Sequence, residues 1–215
     1  KNNELVTIKV GENTIDVSDR TVEAGTGYFS TSWTGNEITK DLANITITNP
    51  NNNIAWGAAY WQFFEDMDKI ESHNSPLSIN KKLFVEKLTP DGPVLVSMET
   101  NQQLKPGEKV AVRLTISPDR NMEYVHLKDM RATTFEPISQ ISGYTYSGGL
   151  WYYKNITDVS TEFFLRYLKK GTYVLEYPLF VTQKGDFTNG IATIQSMYAP
   201  EFTAHSSGFR ISVGE

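Results

Sequence analysis

Within the stretch "IQSMYAPEFTAHSSG", residues 194–208, lie a carboxylate, Glu201, an imidazole, His205, and two hydroxyls, Ser206 and Ser207. These are the residue types of a hydrolase triad. Such a triad needs the imidazole within hydrogen-bond reach of both the hydroxyl and the carboxylate. On a strand, however, sequence neighbours point to opposite faces, so His205 and Ser206 are expected to diverge. There is no Gly-x-Ser-x-Gly elbow to raise a serine out of a turn. The plainer expectation is a strand ending near Met197 or Tyr198, a turn at "APEF", and "AHSSG" leading into the last strand.

Other groups could hold a metal. "EDMD" places Glu65, Asp66 and Asp68 together, an oxygen set that suits calcium, yet without the glycine that an EF-type loop requires. A solvated strand end is the simpler expectation. His73 and His126 stand apart from each other and from His205, and the chain has no cysteine. A zinc site is therefore not expected. His126, in "EYVHLKDM", is expected on one face of a strand. No cofactor motif is present. "NIT" occurs at Asn44 and Asn155 and matches the glycosylation triplet, a pattern that is common by chance.

The most conspicuous run is "SGYTYSGGLWYY", residues 142–153, with Tyr144, Tyr146, Trp151, Tyr152 and Tyr153 around Gly148 and Gly149. Aromatic clusters on sandwich loops can stack on sugars or anchor a partner protein. The alternative is a hairpin whose rings cover a sheet edge.

The elements that must position these groups are strands. The chain has 215 residues, enough for one large domain or two modest ones, and aromatics make up 12% of it. In "KVAVRLTIS" Val110, Val112, Leu114 and Ile116 alternate with polar or small residues, which puts one face in a core. "TYVLEYPLFV" repeats the pattern with Tyr173, Leu175, Tyr177, Leu179 and Val181, and Pro178 within it marks an edge or a bulge. "VTIKV" and "TIDV" flank "GEN" as a hairpin, and "FRISV" closes the chain. Turn clusters such as "NPNNN", "TPDGP", "KPGE" and "SPDRN" separate the runs. The fold class predicted is all-β, an antiparallel sandwich.

"IAWGAAYWQFFEDMDKI" fits two elements. Trp56, Tyr60, Phe63, Met67 and Ile70 have helical spacing, while Trp56 to Phe64 also reads as a strand buried on both faces; Gly57 and the aromatic content favour the strand. The boundary between domains is placed at "ESHNSP", residues 71–76, giving segments 1–72 and 73–215. The first would make a thin core and is expected to lean on the rest.

The net charge of −5 and pI of about 5.3 argue against a phosphate-binding face, so no nucleic-acid partner is expected. No apolar run approaches the ~20 residues of a membrane span. The chain begins "KNNEL", without Met or a signal peptide, and reads as a piece of something longer.

Several stretches together resemble a known family: "EAGTGYFSTSW", "IAWGAAYWQFFEDMDKI", "LSINKKLFVEK", "MEYVHLKDMRATTFEPI", "SGYTYSGGLWYY" and "TEFFLRYLKKGTYVLEYPLFVTQKGDFTNGIATIQSMYAPEFTAHS". They are similar to the carboxy-terminal part of bacterial alpha-2-macroglobulin-like proteins of the Bacteroides type, most specifically from Met122 to Ser206. The resemblance implies a last macroglobulin domain over residues 73–215 and an incomplete CUB-like β segment over 1–72. It implies a non-catalytic portion of a broad-spectrum protease trap of the cell envelope, periplasmic or lipid-anchored through its parent. Its partners would be the other domains of that parent and, through it, target proteases. By similarity, Met197 and Tyr198 of "MYAPE" are the positions that would pack against the thioester-type domain and shield its bond from water. With no cysteine, this chain cannot itself hold a Cys-x-Glu-Gln thioester. The competing expectation is a carbohydrate-binding or adhesin sandwich using the 142–153 aromatics.

Overall fold

The computed structural model describes residues 6–16, 28–99 and 102–215. The chain divides into two compact units, 1–62 and 63–215. Residues 23–27 of the "EAGTGYFSTSW" stretch lie outside the described residues.

In the first unit, β1 (Thr7–Val10), β2 (Asn13–Ile15) and β3 (Ile45–Thr48) form an antiparallel sheet with β1 in the centre. Gly11 makes the expected β1–β2 turn, at φ +59° and against the backbone of Asp41, where a Cβ would lie 3.1 Å from its carbonyl. Val10, Ile15 and Leu42 are the small buried core, with Ile8, Phe29 and Trp33 packed against it.

The stretch that the sequence assigned to a strand or a helix is neither over residues 54–66, and only a 3-10 turn, Met67–Lys69, follows. Residues 54–66 are irregular, and Trp56 is 92% exposed with Ile54, Tyr60, Phe63 and Phe64 also open to solvent. A strand buried on both faces needs a neighbour for its backbone and a cover on each side. None of the described residues supplies them.

The second unit runs β4 (Leu77–Thr89), β5 (Gly92–Ser97), β6 (Gln103–Leu104), β7 (Lys109–Pro118), β8 (Met122–Met130), β9 (Phe135–Pro137), β10 (Gly143–Ser147), β11 (Leu150–Ile156), β12 (Ser160–Leu168), β13 (Tyr173–Val181), β14 (Gly185–Asn189), β15 (Ala192–Ser196), β16 (Thr203–His205) and β17 (Phe209–Val213). One sheet has the order β10-β11-β12-β8-β15-β16, a second β5-β4-β7-β13-β9, and a small third β14-β17-β6. Pairing is antiparallel except between β17 and β6. The result is an all-β, antiparallel sandwich.

The period-two pattern becomes the core directly. Val110, Val112, Leu114 and Ile116 of β7 meet Leu175, Tyr177, Leu179 and Val181 of β13 and Val125, Leu127, Phe163 and Leu165 of the facing sheet in one buried cluster. Burying a side chain of this kind contributes about 1.5–3 kcal/mol. Pro178 pairs across to Ala111, and β9 meets β13 only from Leu179 onward, so the missing N–H of proline falls where that ladder has stopped.

Candidate functional site

The outer face of the six-stranded sheet carries a transverse row of rings. The register aligns Tyr144 of β10 with Tyr153 of β11, Tyr153 with Phe164 of β12, Phe164 with His126 of β8, and His126 with Gln195 of β15. Tyr144 and Tyr153 meet edge to face at 5.2 Å, and His126 stacks on Phe164 at 4.6 Å. A second pair, Tyr146 and Trp151, sits nearer the turn with ring centres 5.2 Å apart. The turn itself is Gly148–Gly149, both at positive φ, and a Cβ on Gly148 would lie 2.1 Å from the Val174 carbonyl oxygen. Only glycine lets the hairpin approach β13 this closely.

Alternation divides the aromatics of this hairpin. Tyr144, Tyr146, Trp151 and Tyr153 face solvent, whereas Tyr152 is 6% exposed and packs edge to face on Phe163 in the core. The expectation that Tyr152 meets a partner is therefore corrected: its parity on β11 turns it inward.

At the far end of β15, Met197 and Tyr198 project from the sheet, 59% and 81% exposed. They are held by Tyr124 of β8. Its carbonyl accepts the Met197 N–H at 2.9 Å, and its ring meets that of Tyr198 edge to face at 5.2 Å. Tyr124 has φ +51°, the left-handed region that a bulky side chain rarely adopts. It falls at an interruption in the ladder, between the pairs Leu165↔Val125 and Tyr167↔Glu123. Tyr124 was not singled out from the sequence, and nothing in "NMEYVHL" announces a break in pairing.

A polar cluster is buried between the two large sheets. Lys81 of β4 places Nζ 2.6 Å from Oδ1 of Asp129 of β8, with side chains 1% and 0% exposed. The same Nζ donates to the carbonyls of Met130, at 2.6 Å, and Gly190, at 2.8 Å. The Tyr177 hydroxyl donates to Asp129 Oδ2. Burial pushes the Asp129 carboxyl up and the Lys81 amine down, each opposed by the charge of the other, and drives the Tyr177 phenol well above its usual value. Nearby, Arg131 donates to the Thr161 hydroxyl at 3.1 Å and to the Thr157 carbonyl. These groups missed notice in the sequence, although a signal existed: Lys81 falls in phase with Ile79, Leu83 and Val85, and Asp129 in phase with Val125 and Leu127.

The residue sets first considered for chemistry are occupied elsewhere. Ser206 is buried; its Oγ accepts the Ala192 N–H at 3.0 Å and donates to the Ser207 carbonyl. His205 Nδ1 lies 3.3 Å from the Ser206 carbonyl oxygen, and Glu201 is exposed in the turn after Pro200. In "EDMD", Asp66 pairs with Lys69 at 2.6 Å, Asp68 approaches Arg210 at 3.5 Å, and Glu65 Oε1 accepts the Asp66 N–H. His126 lies on a strand face as expected, 3.9 Å from Glu162, and burial lowers its basicity. Asn155 contacts Glu162 and Ser142, and Asn44 ends a short 3-10 turn. Among the described residues no helix is long and apolar enough to cross a membrane.

Residues 77–201, which lie within the second unit, match the family model of the bacterial alpha-2-macroglobulin MG10 domain. Solved structures share the fold. Salmonella alpha-2-macroglobulin reacted with methylamine is 20% identical, with a TM-score of 0.53 over 68% of this chain and 10% of that one. The native conformation of Escherichia coli alpha-2-macroglobulin is 14% identical, with a TM-score of 0.51 over 81% of this chain and 12% of that one. A curated protein of Dictyostelium discoideum, circularly permutated Ras protein 2, is 24% identical over 107 residues, which is 50% of this chain and 3% of that protein. The chain thus spans about a tenth of each of these two solved proteins.

Proposed function

The chain belongs to the bacterial alpha-2-macroglobulin MG10 domain family, and from that premise we propose that it is a structural and domain-interaction module of a larger protease-trapping protein. In this reading the sandwich packs against the thioester-type domain of its parent through Met197 and Tyr198. A soft Met and a flat Tyr ring exclude water from whatever they cover. Cleavage of the parent by a protease then releases the contact and lets the domains rearrange, which requires an interface with two stable arrangements. Residues 1–72 would be the CUB-like remainder that leads into the sandwich. The parent would reside in the cell envelope of a Bacteroides-type bacterium, periplasmic or lipid-anchored, and meet its target proteases there.

The observation that supports this most is the aromatic surface left outside. Met197 and Tyr198 are displayed on a strained tyrosine, and Trp56, Tyr60, Phe63 and Phe64 are exposed along one short stretch. Exposed apolar surface of this kind marks sites that another body covers. The test uses the full-length parent and a broad-specificity protease. After cleavage the parent is expected to compact, and the protease is expected to keep its activity on small peptides while losing it on large proteins. An unchanged shape with large substrates still cut would sink the reading.

A second reading rests on Tyr144, Tyr146, Trp151 and Tyr153, which present rings on an accessible hairpin and suit stacking against sugars. Glycan-array binding that disappears in Trp151→Ala would favour it.

A further inference from the structure

Two imidazoles face each other where the segment entering the sandwich runs beside its last hairpin. Residues 67–73 lie antiparallel to 205–210. Asp68 Oδ2 is 3.5 Å from Arg210 Nη1, and the Gly208 N–H donates to the Ile70 carbonyl at 2.9 Å. His73 and His205 exchange both backbone hydrogen bonds, at 2.9 Å each way. Residues opposed in this manner send their side chains to the same side of the ladder. The two rings accordingly have centres 5.7 Å apart and are tilted by 32°.

The second observation concerns the proton. His205 Nδ1 lies 3.3 Å from the Ser206 carbonyl oxygen, an atom that can only accept. In the tautomer that carries its proton on Nδ1 this contact is a hydrogen bond, and the lone pair is then on Nε2. Histidines that ligate metals are held by a carbonyl in this way. An ion bonded to one nitrogen of each ring, at about 2.0–2.1 Å and with tetrahedral angles, holds the ring centres about 5 Å apart. Reaching that spacing from 5.7 Å requires the exposed His73 side chain to turn toward His205.

We propose that His73 and His205 form a two-imidazole site for a divalent transition ion of the Zn2+, Ni2+ or Cu2+ type, with water completing the coordination. Imidazole nitrogens suit these ions. Among the described residues no group of three acidic, histidine or cysteine side chains comes together, so the site is a clip and not a closed cage. The clip exists only while residues 67–73 lie along residues 205–210, and the ion therefore stabilises that pairing.

The test titrates ZnCl2 into the 215-residue chain. Calorimetry is expected to show one saturable site, NMR to show shifts in the ring C–H signals of His73 and His205 with His126 unmoved, and the thermal midpoint to rise with Zn2+. His73→Gln is expected to weaken binding by about tenfold or more, while His126→Gln leaves it unchanged. Ring signals of His73 and His205 that stay still up to about 1 mM Zn2+, a free energy of only about −4 kcal/mol, would overturn the site. So would equal affinity in His73→Gln, whose side chain is exposed and whose replacement leaves the core intact.

Discussion

Lys81 and Asp129 meet at 2.6 Å between the two sheets of the sandwich, each contributed by a different sheet and each out of solvent. Taking two charges out of water has a large penalty, and the pair is tolerable because its other valences are filled by the Met130 and Gly190 carbonyls and the Tyr177 hydroxyl. Removing one partner strands the other. Lys81→Met or Asp129→Leu alone is expected to lower stability by about 3–5 kcal/mol, whereas the double variant is expected to recover most of that loss. Urea denaturation of the four proteins in the cycle measures it. Additive losses in the double variant would show that the two residues do not act on each other.

Gly190 lies beside this pair. A Cβ there would sit 2.3 Å from the Met130 Cβ and 2.9 Å from its carbonyl carbon. Gly190→Ala must therefore push β8 away, moving both carbonyls that Lys81 uses. The expected loss is about 1–3 kcal/mol, from overpacking. A midpoint in urea equal to that of the unmodified chain would contradict the close approach.

On the outer face of the six-stranded sheet, His126 makes stability depend on pH. Burial lowers its folded pKa below the ordinary 6.5; Lys128 acts in the same direction and Glu162 opposes both. The unfolded chain then binds the proton more readily than the folded one, so stability is full above about pH 6.5 and is lost as pH falls below it. Denaturation between pH 7.5 and 5.5 is expected to show a steeper fall for the unmodified chain than for His126→Phe, which keeps the stack on Phe164. Parallel curves for the two proteins would remove His126 from the pH response.

Much of the sandwich was legible because its core obeys a period of two. The alternation in "KVAVRLTIS" and "TYVLEYPLFV" names most of the core of β7 and β13, though Tyr173 is only partly buried and Ala111 of the opposite phase is buried too; the same rule, applied to "GLWYY", would have turned Tyr152 inward. Residues 54–66 were not legible, since an apolar run does not disclose whether a neighbour exists to cover it. The Lys81–Asp129 contact joins residues 48 positions apart on facing sheets, a pairing that only the closed fold creates. The strained Tyr124 depends on a break in the β8–β12 ladder, and backbone strain leaves no mark on residue types.

The proposal that Met197 and Tyr198 cover another domain is tested most directly by placing a photo-crosslinking amino acid at Tyr198 in the full-length parent. Irradiation before protease treatment is expected to join this position to a domain upstream of Lys1, and the crosslink is expected to disappear once the parent has been cleaved. A Tyr198 position that reacts only with solvent in the intact parent, or crosslinks equally before and after cleavage, would contradict it.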